Sequence, residues 1–253
     1  MSNNTTKTAV YFKGSNSART TLVGTCKAAV YNAQKDMTVV TIVTREEFTG
    51  HDGQPVESLR EVPLYINGNG ITAKSGDVLV VTGQLHLAEA RGGDAKYPTR
   101  FERVMPDKVE NLGACASTTN GLNQATIIGY VGNTRALKGK QAGLAVTVAV
   151  TRVAGGKEIT DWHEAVFWGK RAENAGKLLG KGTLVMISGY LATRSMKVGE
   201  SSKALLGFTP QEFTILYKKD GASAARSEAA EGGQDAAPAG DAFSDTGDGG
   251  VPF

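Results

Sequence analysis

The sequence predicts a mainly β protein: two tandem five-stranded barrels, each with a short helix, followed by a disordered acidic C-terminal tail. Three observations lead there. Short β-branched runs separated by glycine-containing or polar turns fill most of the chain. Three of these runs recur in the same order roughly one domain-length later. From Gly221 to Gly250 there is no Val, Ile or Leu, and the only aromatic is Phe243.

Taken in order, the first half has strand patterns at Thr20–Cys26, Thr38–Thr44, Val62–Ile66 and Val78–Leu87. Pro63 within the third marks it as an edge or a bulge, because proline cannot donate to a ladder. The second half has them at Ala125–Val131, Ala145–Arg152, Glu164–Trp168 and Leu184–Leu191, and its helix is expected at Ala172–Leu179, stopped by Gly180. Leu22-Val23-Gly24 recurs as Ile127-Ile128-Gly129, an offset of 105. Thr38–Arg45 recurs as Ala145–Arg152 at 107, and Gly76–Leu85 as Gly182–Leu191 at 106. Each copy therefore reads strand, strand, strand, short helical link, strand, final strand, the element order of the OB barrel. One large β-sandwich is the competing architecture, but it does not explain the repeated helix-plus-glycine punctuation. The expected layout is a diverged first domain at 1–110, a connector at 111–121, a second domain at 122–219 and a tail at 220–253 with an interaction tip.

The chain has 253 residues, 40% of them hydrophobic, enough for two cores plus a tail. The tail holds seven acids and one base; with a whole-chain charge of +3, residues 1–219 carry +9 against −6 for the tail. A basic body with an acidic tail points to a polyanionic partner. Two cysteines, Cys26 and Cys115, make no disulfide framework, and His51, His86 and His163 have no metal-ligand spacing, so no metal or cofactor is expected. No membrane-length apolar run occurs, and the opening Met1–Thr6 lacks a signal layout, which leads to an expected cytoplasmic, nucleoid-associated location.

The most informative stretch is Thr160–Lys170. On a strand, Trp162, Glu164, Val166 and Trp168 share one face, and His163, Ala165 and Phe167 the other. Ala165 and Phe167 suit a barrel interior, which sends both tryptophans outward. Two such rings make a stacking platform for unpaired bases, each stacked base contributing ~1–3 kcal/mol without sequence preference. The alternative is that both are core. Tyr130 is a further candidate stacking residue; in the first copy the candidates are Tyr65, Tyr31, Phe48, Tyr97 and Phe101, each of which reads more readily as core. Arg135, Lys138, Lys140, Arg152, Lys170 and Arg194 flank the platform as candidate phosphate contacts.

Trp162-His163, Phe167-Trp168-Gly169-Lys170, Ala172-Glu173, Lys181-Gly182, Ile187-Ser188-Gly189, Leu191 and Arg194, with Asn123–Gly132 ahead of them, resemble the bacterial single-stranded DNA-binding protein family over roughly residues 121–216. The resemblance implies an OB fold that wraps single-stranded DNA, stacking at Trp162 and Trp168, and His163 toward a subunit or domain interface. With the repeat, it implies the subgroup with two OB domains per chain, assembled as a homodimer presenting four barrels. Three positions depart from the family pattern: Met196 where a tryptophan is common, no aromatic near Val153, and Glu164 on the binding face. These imply weaker affinity per domain or more reliance on charge. The tip, with Asp245, Asp248 and the terminal Val251-Pro252-Phe253, resembles the family's acidic, Pro-Phe ending. It implies recruitment of replication and repair proteins, the ring filling an apolar pocket and the acids pairing with bases. No phosphate loop, GxSxG or HExxH supports an enzyme. The remaining alternatives are an OB-fold RNA-binding protein and an adaptor that does not bind DNA.

Overall fold

The computed structural model describes residues 16–49, 53–92, 98–114, 121–139 and 141–218. The tail and its tip, Lys140, Tyr97 and Cys115 lie outside the described residues, as does the side chain of Phe48.

The first half folds as β1 (Ser17–Asn32), β2 (Met37–Thr49), β3 (Pro55–Asn67), β4 (Asp77–Ala90) and β5 (Thr99–Ala114). Strand β1 pairs antiparallel with both β2 and β4, β2 pairs with β3, and β4 with β5. β5 returns parallel to β3 at Leu64–Val104 and closes the barrel. Alternation drives this closure: Ala18, Leu22 and Cys26 of β1 turn inward onto Val40, Ile42, Val62, Leu64, Leu79, Val81, Leu85 and Val104. Pro63 lies where β3 is paired by β2 alone, consistent with the edge position its missing N–H requires.

The second half repeats the plan with β6 (Leu122–Leu137), β7 (Gly143–Ala154), β8 (Lys157–Trp168), α1 (Gly169–Leu178), β9 (Leu184–Val198) and β10 (Ser201–Tyr217). Here β8 and β10 are joined not by a ladder among the described residues but by side chains. Phe167 and Phe213 meet edge to face, 5.6 Å between centroids at 75°. Helix α1 turns Ala172 and Ala175 inward, and Leu179 ends it with an N–H bond to the Ala175 carbonyl. The repeat extends to backbone packing. A Cβ on Gly24 would sit 2.5 Å from the Val43 carbonyl oxygen, and one on Gly129 would collide with that of Ala149.

Three expectations are corrected. The first barrel has no helix between β3 and β4, because that link is only Gly68–Gly76 and contains Gly68, Gly70 and Gly76, poor helix formers in a segment too short to nucleate one. The second repeated block is offset by 106, not 107: Ile42 pairs with Cys26 and Val148 with Val131. A one-residue slip would turn each inward valine outward, so burial selects the register. Finally, β5 runs past residue 110 to Ala114, with Asn111 bonded to Asp77 and to the Thr72 carbonyl.

The halves are joined edge to edge. β1 and β6 pair antiparallel from Ser17–Ile128 to Val23–Leu122, making one ten-stranded sheet. Thr20 and Ala125 are equivalent in the repeat and lie opposite each other, so a local two-fold axis passes between them. The Thr20 hydroxyl donates to the Gln124 carbonyl, and buried Asn123 bonds both backbone groups of Leu191 and the Thr44 hydroxyl. Away from the axis, the Arg60 guanidinium sits 4.0 Å over the Tyr190 ring, and the Thr193 hydroxyl donates to the Glu61 carbonyl.

The local symmetry is broken at a buried ion pair. His163 of β8 is fully buried, and its Nδ1 lies 2.9 and 3.0 Å from the Glu102 carboxylate oxygens of β5. The equivalent residues across the axis are Val62 and Leu206, both buried and apolar. Burial alone would push the imidazole down, but Glu102, by charge and hydrogen bond, and then Asp161 hold it above its ordinary value. With a raised folded-state pKa, the pair's stabilisation is fully present below the unfolded histidine value of about 6.5 and is lost as pH rises through the folded one. We expect His163→Ala to cost about 3–5 kcal/mol, measured by denaturant unfolding, because it strands the Glu102 charge. His163→Val with Glu102→Leu, which copies the apolar side of the axis, is expected to recover most of that loss and to flatten the pH dependence above 6.5.

Candidate nucleic-acid interface

The outer face of β6–β7–β8 is where the predicted stacking residues meet. Register places Tyr130, Ala149 and Trp162 side by side across the three strands. Further along, Thr147 faces Glu164, and Gly143 faces Trp168. Trp162 and Trp168 are each 43% exposed, whereas Phe167 on the opposite face of β8 is 2% exposed. That contrast excludes a core position: the rings are on the surface.

Each tryptophan rests over a glycine. The register of β6 on β7 shifts between Val131 and Asn133, leaving Gly132 as a bulged residue. The Thr147 hydroxyl pins the bulge, accepting the Asn133 N–H at 3.0 Å and donating to the Asn133 carbonyl at 3.2 Å. A Cβ on Gly132 would overlap Cζ3 of Trp162, and one on Gly143 would fall 2.6 Å from Cζ3 of Trp168. The sequence suggests Gly132–Gly143 as a glycine-containing loop along a nucleic-acid backbone; the structure instead places Gly132 within β6 and Gly143 at the start of β7, and their place beneath the rings needs the cross-strand register to be read.

The charged residues divide. Arg135 faces outward beside Glu164 at 3.8 Å, so the acid on this face has a guanidinium partner. Lys138 and Lys170 are exposed at two edges of the face, Lys170 in the first turn of α1. Arg194 is partly buried and donates to the Thr209 hydroxyl. Arg152 does not flank the platform. It sits on the other face of β7, with Nε donating at 2.6 Å to the buried Asp161 carboxylate, near His86 and His163 at the contact between barrels. Strand alternation accounts for this: Arg152 shares parity with the inward Val146, Val148 and Val150.

Tyr65 is not part of this cluster. It is partly buried on β3 of the first barrel, with the Arg103 guanidinium 4.2 Å from its ring centre. Tyr31, expected in the core, is 40% exposed and donates to Asp36. The repeat identifies the first barrel's counterparts of the platform. Val43 corresponds to Ala149 and pairs with Glu61, so Glu61 stands where Trp162 stands in the second barrel. The bulged residue there is Lys27, which forms an ion pair with Glu61.

A five-stranded barrel, closed in the first half by a parallel bridge between β3 and β5 and in the second by side chains between β8 and β10, defines a tandem OB-fold protein. Residues 122–205, most of the second barrel, match the family described as single-strand binding protein family. Similar proteins include the single-stranded DNA-binding protein of Xanthomonas campestris pv. campestris, 39% identical over 79 residues, 28% of this chain and 46% of that protein. Another is single-stranded DNA-binding protein 1 of Chlorobaculum tepidum, 35% identical over 83 residues, 30% of this chain and 51% of that protein. The chain thus spans about half the length of these relatives. In fold it is similar to the wild-type single-stranded DNA binding protein from Thermus aquaticus, with a TM-score of 0.58 at 16% identity over 83% of this chain and 97% of that one. A deletion mutant of the same protein gives 0.59, at 16% identity over 81% and 96%.

Two outcomes separate the roles of these residues. Trp162→Ala and Trp168→Ala are each expected to weaken binding of an oligo(dT) strand by ~1–3 kcal/mol, with little change in Tm. Arg152→Ala is expected to lower Tm, because it strands buried Asp161, and to leave the salt dependence of binding alone. Arg135→Ala or Lys170→Ala should instead make that salt dependence shallower.

Proposed function

We propose that this protein binds and covers single-stranded DNA with little sequence preference, through the outer face of β6–β7–β8. The observation that carries the reading is the pair Trp162 and Trp168, exposed on one face of one strand inside the segment that matches the single-strand binding family. Indole rings offer a π-face that any base can use, so stacking gives affinity without readout. Tyr130 extends the platform by one strand. Arg135, Lys138 and Lys170 supply phosphate contacts at its margins, and Lys140, outside the described residues, belongs with Lys138 by sequence. The body's basic balance favours the approach of a polyanion. Stacking and charge need no catalytic group, and a binding role, not an enzymatic one, accounts for the face.

Three finer points rest on the sequence. The two-barrel chain is proposed to assemble as a homodimer with four barrels. The tail, with Asp245, Asp248 and Val251-Pro252-Phe253, is proposed to recruit replication and repair proteins, its tether raising their concentration near the strand. A location on the nucleoid follows from the DNA; no helix among the described residues is long and apolar enough to cross a membrane.

The chain has two tryptophans, both on this face, so its intrinsic fluorescence reports the site directly. Adding oligo(dT) should quench it at low salt, and duplex DNA of equal length should compete poorly. No quenching would refute stacking, and equal competition by duplex would reduce the face to a general basic patch. Deleting Val251–Phe253 is expected to leave oligo(dT) affinity within twofold while abolishing capture of repair proteins by immobilised protein–DNA complex.

A further inference from the structure

The proposal here rests on the stacking reading above. We propose that Gly132 and Gly143 are positioning residues that seat the Trp162 and Trp168 rings for stacking, and that the first barrel has been withdrawn from stacking by losing ring and seat together. On both sites the six-membered part of the indole occupies the space that a Cβ would fill. The two glycines lie on different strands, one at a bulge and one at a strand end, yet both lie beneath a ring with the same 43% exposure. A side chain at either position would lift or turn the ring, and an indole that no longer lies against the sheet loses the orientation that lets a base stack on its outer side.

The first barrel carries the converse. Its bulge, between Cys26 and Ala28, is retained, but the bulged residue is Lys27, and the position of Trp162 is Glu61. The two side chains form an ion pair, 55% and 51% exposed, in place of the glycine and ring. At the second site, continuing the register puts Met37 where Gly143 stands and Asn67 where Trp168 stands, and the Met37 sulfur is in contact with Arg103. Neither half of either device survives. A ring restored at Glu61 alone would meet Lys27 where it needs a glycine. An exposed ion pair of this kind adds little to stability, so exchanging it leaves the barrel folded.

The test uses the full chain and an oligo(dT) strand, with Kd, fluorescence quenching and Tm read for each variant. Gly132→Ala should weaken binding about tenfold, within the range for loss of one stacked base. Combined with Trp162→Ala it should weaken binding no further than Trp162→Ala alone, since a seat without its ring has nothing to position. Additive losses in that cycle, or wild-type binding by Gly132→Ala, would overturn the seat. In the first barrel, Glu61→Trp alone should leave affinity and quenching amplitude unchanged, while Lys27→Gly with Glu61→Trp should raise both. Equal gain from the single and double variants, or none from a folded double variant, would overturn the withdrawal. If wild-type fluorescence were not quenched at all, the stacking reading itself would fail; if it is quenched while Gly132→Ala behaves as wild type, only the seat fails.

Discussion

The pairing of β1 with β6 is the constraint on which the rest depends. A single OB barrel leaves the edge of its first strand partly open, and an open edge is a template for another strand. Here the edge of one barrel is covered by the same edge of the other, about an axis between Thr20 and Ala125. That geometry makes the two halves a built-in symmetric pair and brings β5 of one against β8 of the other. It also explains why His163 is buried although it neighbours an exposed tryptophan. Alternation sends Trp162 out and His163 in, and the partner barrel supplies Glu102 to meet it.

Symmetry within one chain is free to decay, because each half is encoded separately. The decay is visible at matched positions: Val62 and Leu206 on one side of the axis, His163 and Glu102 on the other. On the outer face the same freedom has left Trp162 over Gly132 in one barrel and Glu61 paired with Lys27 in the other. The interior has diverged less in shape. Both barrels keep their inward alternation, their bulge after the first core run and the glycine that lets β1 or β6 approach β2 or β7. Packing tolerates little change of volume, whereas a solvated face tolerates change freely.

Much of the fold was legible in the sequence, because alternation and glycine punctuation are local signals. The eight strand runs appear within longer observed strands, and α1 lies where Ala172–Leu179 pointed. What failed was non-local. The block offset of 107 matched residue types, but the pairing of Ile42 with Cys26 shows that inward direction sets the alignment. The helix expected before β4 falls on a link too short and too rich in glycine to form it. At the site, the parity argument on β8 correctly sent both tryptophans outward, since Phe167 and Ala165 had to face the core. The glycines beneath them, and the role of Arg152 with Asp161, depend on which residues face each other across strands, and a single sequence does not carry that register.

The central claim is that unpaired bases stack on the β6–β7–β8 face. The two indole N–H groups of the chain give two resolvable signals in a proton–nitrogen correlation spectrum, one for each ring. Titrating a 15N-labelled sample with oligo(dT) is predicted to move both signals in step with saturation, and titrating with duplex is predicted to leave them in place. Oligo(dT) binding at full stoichiometry with both indole signals unmoved would contradict the account.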